Sequence, residues 1–214
     1  MLSPRATIFA ESTAGPVATG HTLTQVYERA KTSSRPAKTG QTICYDANGD
    51  VIVDCTGTGQ DGATLKGVTW PSTRFTDNSN GTVTDNLTGL IWLKAANYTS
   101  TGSSTEPVTW TDALSFCNAL HTGQGGLTDG STAGQWRLPN LRELQSLIDY
   151  GRSSPALPDH RFTAVQNGDY WSSTTAAAAD VTTRAWFVVL SNGDVGYNGK
   201  TAVCYVWPVR GGQS

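Results

Sequence analysis

The spacing of apolar and polar residues changes period twice along the chain. Residues 74–94, "RFTDNSNGTVTDNLTGLIWLK", alternate with period two and contain turn dipeptides at Asn80-Gly81 and Thr88-Gly89, which predicts a short β-meander. Two segments with a helical period follow, and the period-two pattern returns after residue 168. The order of strands, two helices and strands predicts an α+β domain whose helices pack on antiparallel sheets.

Both predicted helices carry start signals. In "TWTDALSFCNALH", Thr109 or Thr111 is the expected N-cap, and one face holds Trp110, Ala113, Leu114, Cys117 and Leu120. In the second helix Asn140 is the expected N-cap, Glu143 completes a capping box, and Gly151 is the expected end. Its predicted buried stripe is Leu141, Leu144, Leu147 and Ile148.

The C-terminal strands combine aromatic residues with many small ones. Side chains alternate between the two faces of a strand, so "AWFVVLS" predicts one buried and one displayed face. The predicted core face is Trp186, Val188 and Leu190, and the predicted display face is Phe187, Val189 and Ser191. We expect the tryptophans flanked by apolar residues to be core rather than sugar-stacking groups: Trp110, Trp136, Trp171, Trp186 and Trp207.

Residues 1–38 form a predicted N-terminal extension that is rich in Ser, Thr, Ala and Gly. Within it, "HTLTQVYERAK" predicts one short amphipathic helix with an apolar face of Leu23, Val26, Tyr27 and Ala30. Two roles stay open for this helix. It docks on the following domain, or it joins copies of the chain in an oligomer.

Cys44 and Cys55 flank "YDANGDVIVD", which predicts a hairpin that turns at Asn48-Gly49. A four-residue loop at 48–51 places the two cysteines directly opposite each other, close enough to bridge. We therefore expect a disulfide and an oxidising compartment. The segment has neither a CxxC pair nor a nearby histidine, so zinc is not expected.

Composition and charge exclude several classes of partner. The chain has 214 residues, with 15 Lys and Arg against 17 Asp and Glu and a net charge of -2, so it lacks the basic excess of a nucleic-acid-binding protein. No stretch approaches the length of apolar sequence that spans a membrane. Turn formation, and not calcium binding, is the better explanation of the polar group Asp77, Asn78, Asn80 and Asp85.

Catalytic chemistry is not indicated, and we expect neither an enzyme nor a cofactor or metal. No nucleophile–base signature surrounds the three histidines, which are His21, His121 and His160. Capping and solvent exposure account for the acidic residues on and beside the predicted helices, which are Asp112, Glu143 and Asp149.

Several motifs together resemble a known family. "RFTDNSNGTVTDNLTGLIWLK", "WTDALSFCNAL", "GQWRLPNLRELQSLID", "YWSSTT" and "YVWPVRGGQ" occur in the order found in the bacterial Lcl C-terminal domain family, named for a collagen-like adhesin. The resemblance covers about residues 39–213. It implies a C-type-lectin-like fold, related through Arg137-Leu138-Pro139 to formylglycine-generating enzymes, and surface or secreted proteins that bind glycans or proteins.

The resemblance also suggests an origin for the small residues. Some relatives of this fold are variable proteins of diversity-generating retroelements, in which adenine mutation of Asn codons never yields Lys, Glu, Gln, Met or Trp. Between Ala176 and Val206, only Trp186 and Lys200 belong to this forbidden set, and both stand where the family pattern has fixed residues. Diversification of this segment is one hypothesis, and an ordinary solvated loop is the other.

Two departures from the family pattern concern chemistry. Many members pair a helix cysteine with one near the position of Pro208, whereas Cys204 stands four residues earlier, a strand length of about 13 Å. We expect Cys117 to be a buried free thiol and Cys204 a surface residue, with a Cys117–Cys204 bridge as the alternative. The calcium triplets of sugar-binding lectins are missing, and "YWSS" offers only Ser172 and Ser173, so calcium-dependent sugar binding is not supported.

We predict a receptor-binding protein located outside the cell, on its surface or on a virion tail. The partner is a protein or a glycan, and the family suggests a homotrimer whose several copies raise avidity. The alternative is a structural subunit of a filament or particle that assembles through residues 1–38. The strongest predicted anchors are Tyr197, Arg184 and Phe187. The full predicted binding set is Asp180, Thr182, Arg184, Phe187, Val189, Ser191, Asp194, Gly196, Tyr197, Asn198, Thr201, Ala202, Val203 and Cys204.

Overall fold

The computed structural model describes residues 36–98, 106–158, 160–177 and 182–211. These residues belong to one compact unit, Pro36–Ser214. The predicted helix in "HTLTQVYERAK" lies outside the described residues. The described chain mixes three short helices with eleven short strands, and all its strand pairs are antiparallel, so it is an α+β domain as predicted.

A small hairpin of β1 (Cys44–Tyr45) and β2 (Val51–Ile52) opens the described chain and precedes one helical turn, α1 (Asp61–Thr64). The predicted Cys44–Cys55 disulfide is confirmed, with 5.7 Å between the Cα atoms. The predicted register is wrong, because Cys44 lies opposite Ile52 and Cys55 follows the end of β2.

The Asp46 side chain explains this register. Its Oδ1 accepts hydrogen bonds from the amides of Asn48 and Asp50, both at 2.9 Å, and the Asp50 carbonyl accepts from the Asp46 amide. An aspartate that bonds to the backbone two residues on fixes a turn locally. The turn is therefore centred earlier than Asn48-Gly49 alone predicts.

The predicted meander is confirmed. It consists of β3 (Phe75–Asp77), β4 (Thr82–Asp85) and β5 (Ile91–Leu93), with the expected turns between them. A buried ion pair lies in this region, since Arg74 Nε donates to Asp85 Oδ1 at 2.7 Å and Arg74 Nη2 donates to the Ser146 carbonyl at 2.8 Å. Arg74 thus connects the meander to the end of the second predicted helix.

Both predicted helices are present. After β6 (Val108–Thr109), α2 (Trp110–Ala119) begins at its N-cap Thr109, which accepts a hydrogen bond from the Asp112 amide. The helix α3 (Leu141–Gln145) has the predicted capping box between Asn140 and Glu143. Its predicted end at Gly151 is wrong.

The end of α3 is set by tighter turns. The amides of Leu147 and Ile148 bond to carbonyls three residues back, at 3.2 and 3.0 Å, which is the spacing of a 3₁₀ turn. Both side chains are nevertheless buried, as predicted. The predicted apolar stripe therefore continues beyond the observed end of α3 at Gln145.

The C-terminal half supplies the second large sheet. Its strands β7 (Asp169–Thr175), β8 (Arg184–Val189) and β9 (Val195–Gly199) lie in that order, so β9 is an edge strand. The chain then forms β10 (Val203–Cys204), which pairs with β6, and β11 (Val209–Arg210), which pairs with β5 of the meander. The pairing of β11 with β5 connects the C-terminal half of the described chain to the meander.

Core residues cover both faces of the β7–β9 sheet. Val188 belongs to a large cluster with residues of α3 and the meander, whereas Ala185 is buried in a second cluster with α2. Side chains at these two positions of β8 point to opposite faces. Because both faces are covered, residues of this sheet are exposed to solvent only near the free edge of β9 and at the strand ends.

Candidate functional site

An aromatic pair lies where β8 meets the edge strand. Trp186 is directly opposite Tyr197 in the strand register, and their ring centroids are 5.2 Å apart in an edge-to-face arrangement. Tyr197 is 44% exposed, and Trp186 is half-buried. The prediction of Trp186 as a core residue is wrong, because this end of β8 extends beyond the buried cluster that covers Val188 and Leu190.

Each of two cations at this end of the sheet lies over an aromatic ring. The Arg184 guanidinium carbon is 5.3 Å from the Tyr197 ring centroid, and the Lys200 Nζ is 4.3 Å from the centroid of the half-buried Trp110 ring. Such contacts are attractive because the ring face is electronegative. We name Trp110, Arg184, Trp186, Tyr197 and Lys200 the aromatic–cation surface.

Backbone hydrogen bonds hold the two cation–ring pairs at the same end of the sheet. The Lys200 amide donates to the Thr183 carbonyl at 2.9 Å, and the Trp110 amide donates to the Lys200 carbonyl at 3.2 Å. The Trp110 indole also donates to the Ser172 carbonyl on β7 at 2.8 Å. The N-terminus of α2 and the strand ends are thereby fixed to each other, and they form a rigid base for the exposed Tyr197 ring and the half-buried Trp110 and Trp186 rings.

Phe187 was predicted as an exposed anchor, but its ring packs against buried residues. Its ring packs edge-to-face against Trp171 with 6.5 Å between centroids, and it contacts the second buried cluster. A Cβ added at Gly196 would lie 2.6 Å from Phe187 Cζ. A side chain at Gly196 would therefore displace the phenyl ring.

Cys204 is not a surface residue. It is 2% exposed and belongs to the same buried cluster as Cys117, so its predicted place on the binding surface is wrong. Cys117 is a buried free thiol, as predicted, and the two cysteines are not bridged. Burial raises the pKa of Cys117, and burial together with the nearby Asp169 raises the pKa of Cys204 to about 12. Both sulfurs are consequently protonated and weak nucleophiles at neutral pH.

The remaining predicted residues do not form a single patch. Ser191 and Asp194 lie at the β8–β9 turn, whereas Arg184 and Thr201 lie at the other end of these strands, about 17 Å away for five strand residues. Asp180 lies outside the described residues. Predicted residues that are exposed are Thr182, Arg184, Asp194, Tyr197, Asn198, Thr201 and Val203, and those of intermediate exposure are Phe187, Val189, Ser191, Gly196 and Ala202.

Three members of the aromatic–cation surface escaped the prediction. Trp186 and Lys200 were assigned to a fixed frame, and Trp110 was assigned to the core face of its helix. A two-residue hairpin turn at Asn192-Gly193 would place Trp186 opposite Gly199, two residues from its observed partner Tyr197, so the turn signal alone does not give this pair. The contact between Lys200 and Trp110 joins residues 90 positions apart and had no local signal.

The polar residues of the meander turns bond within the protein. Asp85 pairs with Arg74, and Asp77 lies 2.7 Å from the Lys94 Nζ, whose hydrogen bond lowers the pKa of that carboxyl. Among the described residues, no three His, Cys, Asp or Glu side chains come together as a metal site. In the same ranges, no helix has the length and apolar character needed to cross a membrane.

A comparison with known families accounts for the larger part of the chain. Residues 81–210, more than half of the sequence, match the model of the Lcl C-terminal domain. No curated protein matches the chain closely enough to count as a relative. The matched range includes the meander from Gly81 onward, α2, α3 and the strands of the aromatic–cation surface. The chain therefore belongs to the Lcl C-terminal domain family.

Proposed function

We propose that the protein is an adhesin-type domain that binds a protein or glycan receptor through the aromatic–cation surface. The observation that carries this proposal is the exposure of Tyr197 beside Arg184 and Trp186, next to strand β8, whose Ala185 and Val188 are fully buried. Trp, Tyr and Arg are the residue types that contribute most to binding energy at interfaces. A rigid base lowers the entropy lost when they bind.

Small polar residues surround these large ones. Asn198 and Thr201 are exposed next to Tyr197 and Lys200 in the chain, and Thr182 is exposed next to the strand that bears Arg184. Rigid aromatic anchors among adaptable small residues are typical of paratopes. We propose that the scaffold is C-type-lectin-like and that its exposed positions have been diversified, while Gly196 and Cys204 are constrained by packing.

Location and assembly follow from the same proposal. The Cys44–Cys55 disulfide is consistent with an oxidising, extracellular environment. We propose the cell surface, or alternatively a virion tail, as the place of function, and a homotrimer as the working form because several copies raise avidity. Size-exclusion chromatography with light scattering tests this form, and long polymers would favour the structural-subunit alternative.

Binding rather than catalysis is the proposed activity. The two free thiols are buried and protonated, so they lack the exposed thiolate that cysteine chemistry requires. A direct test is incubation of the purified chain with a peptide that contains cysteine, in the presence of copper. Oxidation of that peptide would contradict the proposal.

The binding proposal is tested by probing protein and glycan arrays with the full chain and with two matched variants. Tyr197→Ala removes the exposed ring of the surface, and Tyr45→Ala removes a ring of similar exposure, 41%, on the disulfide-linked hairpin. We expect Tyr197→Ala to lose the array signals by at least about tenfold, as for an interface anchor, and Tyr45→Ala to retain them. Signals that depend on Tyr45 and not on Tyr197 would place the binding site elsewhere.

A further inference from the structure

The two cations of the aromatic–cation surface have no carboxylate partner within the described part of the chain. Neither the Arg184 guanidinium nor the Lys200 ammonium forms an ion pair with a carboxylate of the described ranges. Elsewhere on the same domain, Lys94 lies 2.7 Å from Asp77, and Arg137 forms two hydrogen bonds with Glu143. Within these ranges the two cations thus lie over rings and not against carboxylates, on a chain whose net charge is -2.

Contact with a ring affects how such a cation binds an anion. The ring face replaces part of the water around Arg184 and Lys200 and limits their side-chain motion. An incoming carboxylate then meets a partly dehydrated, oriented cation, so less water and less side-chain entropy are lost on binding. Both cations lie at one end of the sheet, since the Lys200 amide bonds to the Thr183 carbonyl beside Arg184. Arg184 is on the face of Val188 and Lys200, over Trp110, is on the face of Ala185, so a partner that contacts both approaches the strand ends.

The neighbours of these cations are apolar and exposed, which favours a protein partner over a sugar polymer. Val195 is 36% exposed on the same strand as Tyr197, and Val203 is 54% exposed on the strand that pairs beside Trp110. Uncovered valines lose contact with water when an apolar protein surface packs on them. A sugar polymer offers mainly hydroxyl groups to these side chains.

We infer that the receptor is a protein with an acidic patch, whose carboxylates contact Arg184 and Lys200 while its apolar side chains cover Tyr197, Val195 and Val203. This inference rests on the proposed binding function of the same surface. It adds the chemical class of the partner, which the proposed function leaves as a protein or a glycan. Charge complementarity of this kind speeds association and fixes the orientation of the partner.

The test uses a displayed library of a small protein domain with two fully randomised loops, selected on the immobilised full-length chain. The selected domains are sequenced, and their affinities are measured for wild type, Arg184→Gln/Lys200→Gln, Tyr197→Ala and Lys66→Gln. Lys66 is exposed, lies outside the family match and serves as the control for loss of a positive charge away from the surface. A glycan array with neutral and acidic sugars is probed in parallel.

We expect enrichment of Asp and Glu in the selected loops, and an affinity loss of about tenfold or more for Arg184→Gln/Lys200→Gln against less than about twofold for Lys66→Gln. We also expect weaker binding when NaCl is raised from about 50 to about 300 mM, because salt screens these charges. Selected domains that lack acidic residues, or that bind the double variant as tightly as wild type, overturn the inference. No enrichment at all, or binding only on the glycan array, overturns it as well.

Failure of this inference differs from failure of the proposed function. If the selected domains lose affinity for Tyr197→Ala but not for the double variant, the surface binds a ligand without using its charges. If neither variant changes the affinity, the selected domains bind elsewhere, and the proposed binding surface is wrong.

Discussion

The guanidinium of Arg184 lies over the ring of Tyr197, with 5.3 Å between its central carbon and the ring centroid. The ring also contacts Trp186 edge-to-face, with 5.2 Å between the ring centroids. One exposed phenol ring thus contacts both a cation and an indole. Tyr197 therefore positions the other two side chains as well as offering its own surface.

This arrangement predicts different results for two substitutions of Tyr197. Tyr197→Phe keeps the ring face under Arg184 and should preserve receptor binding within about twofold, whereas Tyr197→Leu removes the cation–π contact and should weaken binding by about tenfold. Affinity is measured by biolayer interferometry against a receptor found on the arrays. Equal losses in both variants would show that the hydroxyl group, and not the ring, is required.

Packing beneath the surface predicts that a side chain at Gly196 destabilises the protein. In Gly196→Ala the new Cβ meets Phe187 Cζ at 2.6 Å, so the phenyl ring must move out of its contact with Trp171. Overpacking of this kind costs about 1–3 kcal/mol of unfolding free energy. The control is Gly199→Ala in the same strand, where the nearest atom of the environment is Thr201 Oγ1 at 3.8 Å. Urea denaturation that shows equal stabilities for the two variants would contradict this packing.

The buried Arg74–Asp85 pair predicts a large loss of stability in Asp85→Asn. The substitution leaves the Arg74 guanidinium buried without its counter-charge, and breaking one partner of a buried pair costs about 3–5 kcal/mol. Asp77→Asn, which removes the more exposed and solvent-screened pair with Lys94, should cost much less. Urea denaturation of the two variants gives the comparison, and a loss in Asp85→Asn no larger than that in Asp77→Asn would contradict a role of the pair in holding the meander to α3.

The buried thiols predict a decrease of stability at alkaline pH. Burial raises the native pKa of Cys117 and Cys204, the latter to about 12, whereas an unfolded cysteine ionises near about 8.5. Above about pH 8.5 the unfolded chain loses these protons and the native protein keeps them. The stability that the neutral thiols provide is therefore complete below that pH and decreases toward the native pKa, by up to about 1.4 kcal/mol per pH unit for each thiol.

Urea denaturation between about pH 7 and about pH 9.5, below the range in which unfolded tyrosines ionise, measures this slope. The double variant Cys117→Ala/Cys204→Ala removes both groups, and the Cys44–Cys55 disulfide does not titrate. We expect wild type to lose stability over this range and the double variant to lose much less. The same slope in both proteins would assign the alkaline loss to other groups.

Local chemistry allowed much of the fold to be predicted from the sequence. The Asn140–Glu143 capping box and the turns at Asn80-Gly81 and Thr88-Gly89 are determined by neighbours within a few residues, and the structure has them as predicted. The end of α3 was missed because Leu147 and Ile148 keep a helical spacing while the chain turns more tightly. Periodicity indicates which side chains are buried, but it does not indicate whether the backbone forms an α-helix or a 3₁₀ turn.

The candidate site was harder to predict because alternation along β8 does not separate core from surface. Both faces of the sheet are covered, so Phe187 is partly buried although it was predicted to be displayed, and Trp186 is partly exposed although it was predicted to be core. Cys204 is buried because β10 pairs with β6 beside α2, a contact between segments nearly a hundred residues apart. Such long-range contacts leave no pattern in the local sequence.

The most direct test of the account is amide hydrogen exchange of the full chain with and without a receptor found on the arrays. We predict that the receptor slows exchange in peptides covering residues 184–203, which contain Arg184, Trp186, Tyr197 and Lys200, and leaves the disulfide-linked hairpin at residues 43–58 unchanged. Slower exchange in the hairpin, or in the loop at residues 152–158, with no change in residues 184–203 would contradict the claim that the aromatic–cation surface binds the receptor.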